Sequence, residues 1–165
     1  MPRVTPRLLL ALIGLACASS VGLALMAQHR FGMEPCPWCI LQRILFVLLA
    51  VLSLVAAALP VLLRRVLSGV ALLGALGGMA AALWQHFVAA QSSSCALTLA
   101  DRIITFTGLD TRWPEAFEVR ASCADAAVSV LGVPFELWSL ALFAISGMVL
   151  LANVLSTGRR RHTWS

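Results

Sequence analysis

The sequence predicts an all-α membrane protein, a four-transmembrane-helix bundle with both termini cytoplasmic. Two observations predict the class. The chain of 165 residues is 61% hydrophobic and only 12% charged, about half the charge of an ordinary soluble domain. Its apolar residues gather into four stretches, 8–27, 44–63, 66–90 and 132–154. Each matches the roughly 20 residues that cross a bilayer as a helix. Little chain remains for a separate soluble unit, so residues 1–165 read as one integral membrane domain.

The first stretch follows Arg3 and Arg7, as a signal peptide would. Its apolar run is longer than a usual signal core, and Leu25-Met26 extends it. Gly14 stands where a lipoprotein signal would place a bulky residue ahead of Cys17. The stretch therefore reads as a retained span.

Charge orients the spans. Every basic residue apart from the histidines is arginine. Arg3 and Arg7 precede span one, Arg64 and Arg65 join spans two and three, and Arg159, Arg160 and Arg161 follow span four. With four spans these lie on one side. Arg30, Arg43, Arg102, Arg112 and Arg120 lie on the other, where Asp101, Asp110, Glu115, Glu118 and Asp125 dilute them. Positive-inside bias puts the termini in the cytoplasm and two outer loops, about 28–43 and 91–131, on the opposite face. The net charge of +5 is then a topology signal, and nucleic acid is not an expected partner.

Spans two and three form a tight hairpin around Arg64 and Arg65. In the second outer loop, Leu99, Ile103, Ile104 and Phe106 recur at a mostly helical spacing. They predict a short amphipathic helix, laid on the membrane or packed on the protein. Gly108 and Pro114 break it. Pro134 and Glu136 are helix-start residues for span four, and Trp138 suits the interfacial belt.

Five cysteines remain. Cys17 lies inside span one and reads as a small apolar core residue. The other four lie outside, two per loop, where oxidising conditions favour disulfides. Four cysteines allow three connectivities; Cys36–Cys39 with Cys95–Cys123 is the simplest at rest. A bridge across two residues removes little chain entropy, so Cys36–Cys39 is a poor staple and a better redox couple. Cys95–Cys123 closes a long loop and reads equally as a staple. A zinc site is not expected, because the second pair lacks compact ligand spacing. Haem attachment needs histidine after the second cysteine, where Ile40 stands.

Cys39 lies at the N-terminus of span two, whose partial positive charge favours a thiolate. Arg43 follows four residues later, on the same helix face. Together they suit an electron-accepting ligand with a carbonyl oxygen, whose developing charge arginine stabilises. A plain anchoring role is the alternative for Arg43. His86, near the outer end of span three, is expected at the depth of Arg43, flanking the same pocket. Gln42 and Gln85 are lesser polar candidates at that depth.

Cys36-Pro37-Trp38-Cys39 before span two, Arg43, the Gln85-His86 pair, and Cys95 and Cys123 in the second loop form an ordered set. In this set the chain resembles the DsbB family, bacterial disulfide bond formation protein B, from Arg7 to about Asn153. The resemblance implies a protein-disulfide oxidoreductase of the bacterial inner membrane, its redox loops facing the periplasm. It implies that the protein reoxidises a soluble DsbA-like thioredoxin-fold oxidase and passes the electrons to a membrane quinone, ubiquinone or menaquinone. Cys95 would meet the reduced partner, with Cys123 as its bridging mate. The resulting dithiol would reduce Cys36–Cys39. Cys39 would face the quinone, with Arg43 and His86 around the ring.

Two rival readings stay open on sequence. A vitamin K epoxide reductase-like protein also joins a four-helix bundle, loop cysteines and a quinone, but its active pair opens the last core helix. A non-enzymatic membrane scaffold with structural disulfides would keep Cys36 and Cys39 inert.

Overall fold

The computed structural model describes residues 5–91 and 98–156. In chain order it contains α1 (Pro6–Phe31), α2 (Pro37–Ala58) and α3 (Val61–Phe87), followed by one 3-10 turn (Ala89–Gln91). Three short helices follow, α4 (Leu99–Thr107), α5 (Leu109–Arg112) and α6 (Pro114–Phe117). A two-stranded hairpin, β1 (Ser129–Val130) and β2 (Val133–Pro134), then leads into α7 (Phe135–Ser156). The four long helices have mean hydropathies of 2.0 to 2.5 and are long enough to cross a membrane. The protein is a multi-pass membrane protein of the predicted class.

Local chemistry sets the helix ends. Thr5 Oγ1 accepts the Leu8 N–H at 3.3 Å, and Pro6 occupies the first turn of α1. Gly32, at φ 63°, closes α1 in the left-handed conformation. Cys36 caps α2 and Pro37 follows it. The helix therefore starts well ahead of the apolar stretch 44–63. Hydropathy placed the boundary too late because Gln42 and Arg43 are polar, yet both are buried and hydrogen-bonded within the bundle. The expected loop 28–43 is corrected to residues 32–36. The hairpin turn falls at Leu59 and Pro60, so Arg64 and Arg65 belong to α3 and not to the connection.

The helices pack chiefly α1 on α2, α2 on α3 and α3 on α7, while α1 and α7 touch sparingly. Leu10, Cys17, Leu49, Phe143 and Leu150 are fully buried between them. Phe46 stacks on Phe143 with centroids 4.0 Å apart. Gly78 lies directly beneath the Phe143 ring, where any Cβ would overlap it. Ala71, Ala75 and Ala82 continue this inner stripe of α3, the small-residue seam that lets membrane helices approach closely. Leu62, Leu73 and Met148 are exposed on the outside of the bundle.

The segment after α3 lies over the cysteine-bearing end. Thr98 and Asp101 form a reciprocal capping box for α4, and Gly108 ends it at φ 63°. Of its apolar residues, Ile104 packs with Ile40 and Phe117, whereas Leu99 and Phe106 face outward. The helix is thus both packed on the protein and apolar outside. Pro134 pairs with Ser129 in the hairpin, one residue ahead of α7. Trp138 Nε1 donates to the Val130 carbonyl at 3.3 Å, which fastens the hairpin to α7.

Candidate redox site at the cysteine-bearing end

Cys36 is fully buried in extended backbone at the start of α2. Its sulfur accepts the Cys39 N–H at 3.3 Å, and the two sulfurs stand 2.6 Å apart. One turn of helix therefore presents two thiols to each other, Cys36 inward and Cys39 half-buried. Gln42 Nε2 donates to Gln85 Oε1 at 2.7 Å, and Gln85 Nε2 donates to the Cys39 sulfur at 3.4 Å. The two glutamines join α2 to α3 and aim an amide N–H at the sulfur.

Cys123 arrives from the loop. The backbone N–H groups of Arg120 and Ala121 donate to the Pro35 carbonyl at 3.1 and 3.3 Å. This pins the chain next to Cys36 just before Cys123. Cys123 is buried in one apolar cluster with Cys36, Trp38 and Ala100. Its sulfur takes hydrogen bonds from the Cys36 thiol and from the Trp38 backbone N–H at the start of α2. The Cys36 hydrogen bond pulls the Cys123 pKa below its ordinary range, although burial opposes it. Cys36 moves far up, because its proton is held first by Cys123, then by Cys39, and burial adds to both. Cys95 lies outside the described residues, and with it the expected Cys95–Cys123 bridge.

Arg43 is buried on α2. Its Nη1 donates to Gln28 Oε1 at 2.7 Å and to the Ala116 carbonyl at 2.8 Å. Among the described residues no carboxylate pairs with it. A buried guanidinium with neutral acceptors alone keeps most of its charge available to a ligand.

That charge faces a cavity of about 750 Å³ between α1, α2, α7 and the loop. Cys39, Gln42, Arg43 and Phe46 form its α2 wall; Val21, Ala24 and Phe31 line α1; Trp138 and Leu142 line α7. Its size and apolar lining with few polar groups are those of a small-molecule site.

His86 does not line this cavity. Its Nδ1 lies 2.9 Å from Glu136 Oε1, which ties the end of α3 to the start of α7. The expected meeting of His86 and Arg43 around one pocket is corrected: α3 turns His86 toward α7, while Arg43 points toward α1. Sequence reasoning also missed Gln28, the acceptor for Arg43. It lay inside the presumed loop 28–43, so it was assigned no helix face. A lone amide in the last turn of an apolar span was its only signal. Cys17 is fully buried in the core, its sulfur 3.8 Å from Ser146 Oγ.

The profile of the family described as "Disulfide bond formation protein DsbB" matches residues 6–153. The chain belongs to this family. It is 33% identical over 158 residues to disulfide bond formation protein B 1 of Pseudomonas putida, covering 93% of each chain. It is 36% identical over 160 residues to disulfide bond formation protein B of Verminephrobacter eiseniae, covering 94% of this chain and 89% of that one. The Ralstonia nicotianae protein of the same name is 33% identical, over 90% of this chain and 94% of the relative. The DsbB family makes this chain a membrane protein of disulfide bond formation, with the chemistry of a disulfide oxidoreductase. Its paired thiols at the head of a membrane helix are what such chemistry requires.

Proposed function

We propose that this protein takes electrons from a reduced DsbA-like thioredoxin-fold oxidase in the periplasm and delivers them to a quinone of the bacterial inner membrane. The observation that carries the reading is the shared wall of Cys39 and Arg43 on an apolar cavity, with Cys123 at the back of Cys36.

The steps are thiol–disulfide exchanges. A partner thiolate attacks Cys95 in a Cys95–Cys123 bridge, and Cys123 leaves as a thiolate. That thiolate attacks Cys36, the Cys36–Cys39 bond breaks, and Cys39 leaves as a thiolate. The Cys123 sulfur leaves the first bridge already as a thiolate, and the Trp38 backbone N–H holds it in place. Resolution of the mixed disulfide by the second partner thiol frees Cys95, whose thiolate attacks Cys123 in the Cys36–Cys123 bridge and restores Cys95–Cys123. The net result is an oxidised partner and a reduced Cys36/Cys39 pair. The residues lining the cavity fit a quinone, which when bound supplies a sink for two electrons and two protons. Cys39 presents its sulfur to the cavity, and reforming the Cys36–Cys39 bond releases the electron pair. Arg43 offers its guanidinium to a carbonyl oxygen as negative charge grows on it. Phe46, Trp138 and Leu142 exclude water and receive a ring and its apolar tail. Overall, two partner thiols and one quinone become one disulfide and one quinol.

The test is quinone absorbance in detergent solution with a reduced DsbA-type oxidase. Quinone loss that needs the dithiol and vanishes in Cys39→Ser supports the relay. No quinone loss with ubiquinone or menaquinone overturns it.

A further inference from the structure

Gln28 stands where the cavity meets the loop, and the relay gives it no role. It is buried in the last turns of α1. Its Oε1 accepts from Arg43 Nη1 at 2.7 Å, and its Nε2 donates to the Glu115 carbonyl at 3.2 Å. Arg43 Nη1 donates in turn to the next carbonyl, Ala116, at 2.8 Å. Three hydrogen bonds thus close a ring through α1, α2 and the loop segment at α6. Arg43 belongs both to this ring and to the cavity wall.

We infer that Gln28 is a positioning residue for the electron-acceptor site, and that the same amide fastens the loop segment Glu115–Ala116 to it. Cavity occupancy and docking of this segment are then coupled. The inference rests on the quinone reading above and extends it to regulation of that site. The amide is suited to both tasks. A carboxylate at this position would pair with Arg43 and cancel the charge offered to the ligand. An apolar side chain would leave the guanidinium and the Glu115 carbonyl short of partners. A ligand that holds Arg43 in place holds the ring, and therefore the loop. By linkage, a docked loop raises affinity for the ligand by the same factor.

The experiment uses the full-length protein in detergent, a short-chain ubiquinone and a reduced DsbA-type oxidase. It reads the quinone KM and kcat, and amide hydrogen exchange across residues 113–121 with and without quinone. In the native protein quinone slows exchange in this segment. Gln28→Leu raises the quinone KM about tenfold, as loss of a hydrogen bond to a charged group implies. It lowers kcat less and removes the quinone-dependent protection. Gln28→Glu keeps the volume and the acceptor but no donor for Glu115; it too raises KM and loses the protection, and it serves if the leucine variant does not fold. Either variant with native KM and native protection overturns the inference alone. A native protein that reduces no quinone overturns the reading beneath it.

Discussion

Cys123 rests against Cys36, its sulfur accepting the Cys36 thiol proton beside the first N–H groups of α2. The two cysteines belong to different loops, and the Pro35 carbonyl joins those loops through Arg120 and Ala121. A disulfide exchange between loops therefore needs no large search by the chain.

The pKa directions give a pH signature in the reduced protein. Cys123 is held low by the Cys36 hydrogen bond, so its thiolate appears at lower pH than that of an ordinary cysteine, near 8.5. Cys36 is held high, so it stays protonated through the same range. As pH rises from 6 to 9, iodoacetamide should modify Cys123 before Cys36. Mass spectrometry of the alkylated peptides reads the order, and the reverse order would contradict the proposed hydrogen-bond direction.

Without quinone, and with a reduced DsbA-type oxidase whose second active-site cysteine is replaced by alanine, Cys95 stays in the mixed disulfide and the relay should stop at a Cys36–Cys123 bridge. Non-reducing peptide mapping after addition of that partner should recover it. Recovery of the mixed disulfide with Cys36–Cys39 intact and Cys123 free would exclude the loop-to-loop step.

Arg43 is the only charged group in the α2 wall of the cavity. Arg43→Ala should raise the quinone KM by tenfold or more, since a hydrogen bond to a charged group contributes about 1.5–3 kcal/mol. Steady-state kinetics at varied quinone and fixed dithiol measures it. A native KM would remove Arg43 from the acceptor site.

Gly78 is a packing prediction independent of the redox chemistry. Its place beneath the Phe143 ring leaves no room for a methyl group. Gly78→Ala should destabilise the bundle by about 1–3 kcal/mol, the usual effect of overpacking. A thermal melt in detergent reads the change, and Phe143→Leu in the same chain should restore part of it.

The helices were legible because hydropathy at transmembrane length is a strong signal, and Cys36, Cys39 and Arg43 because their spacing fixes one helix face. What the sequence hid depends on tertiary compensation. The partners of Gln42 and Arg43, namely Gln85, Gln28 and the Ala116 carbonyl, come from other elements and could not be read from α2 alone. His86 faces Glu136 of α7 and not this cavity, because a position along a helix does not give rotation about it. The contact of Cys123 with Cys36 depends on two backbone hydrogen bonds to Pro35, which leave no mark in side-chain pattern.

The most direct test of the central claim is stoichiometry under anaerobic conditions. A reduced DsbA-type oxidase and excess quinone are mixed with catalytic protein, and both products are counted. The account predicts one quinol for every partner disulfide formed, with neither product in Cys39→Ser. Partner oxidation without quinol, or quinol without partner oxidation, would contradict it.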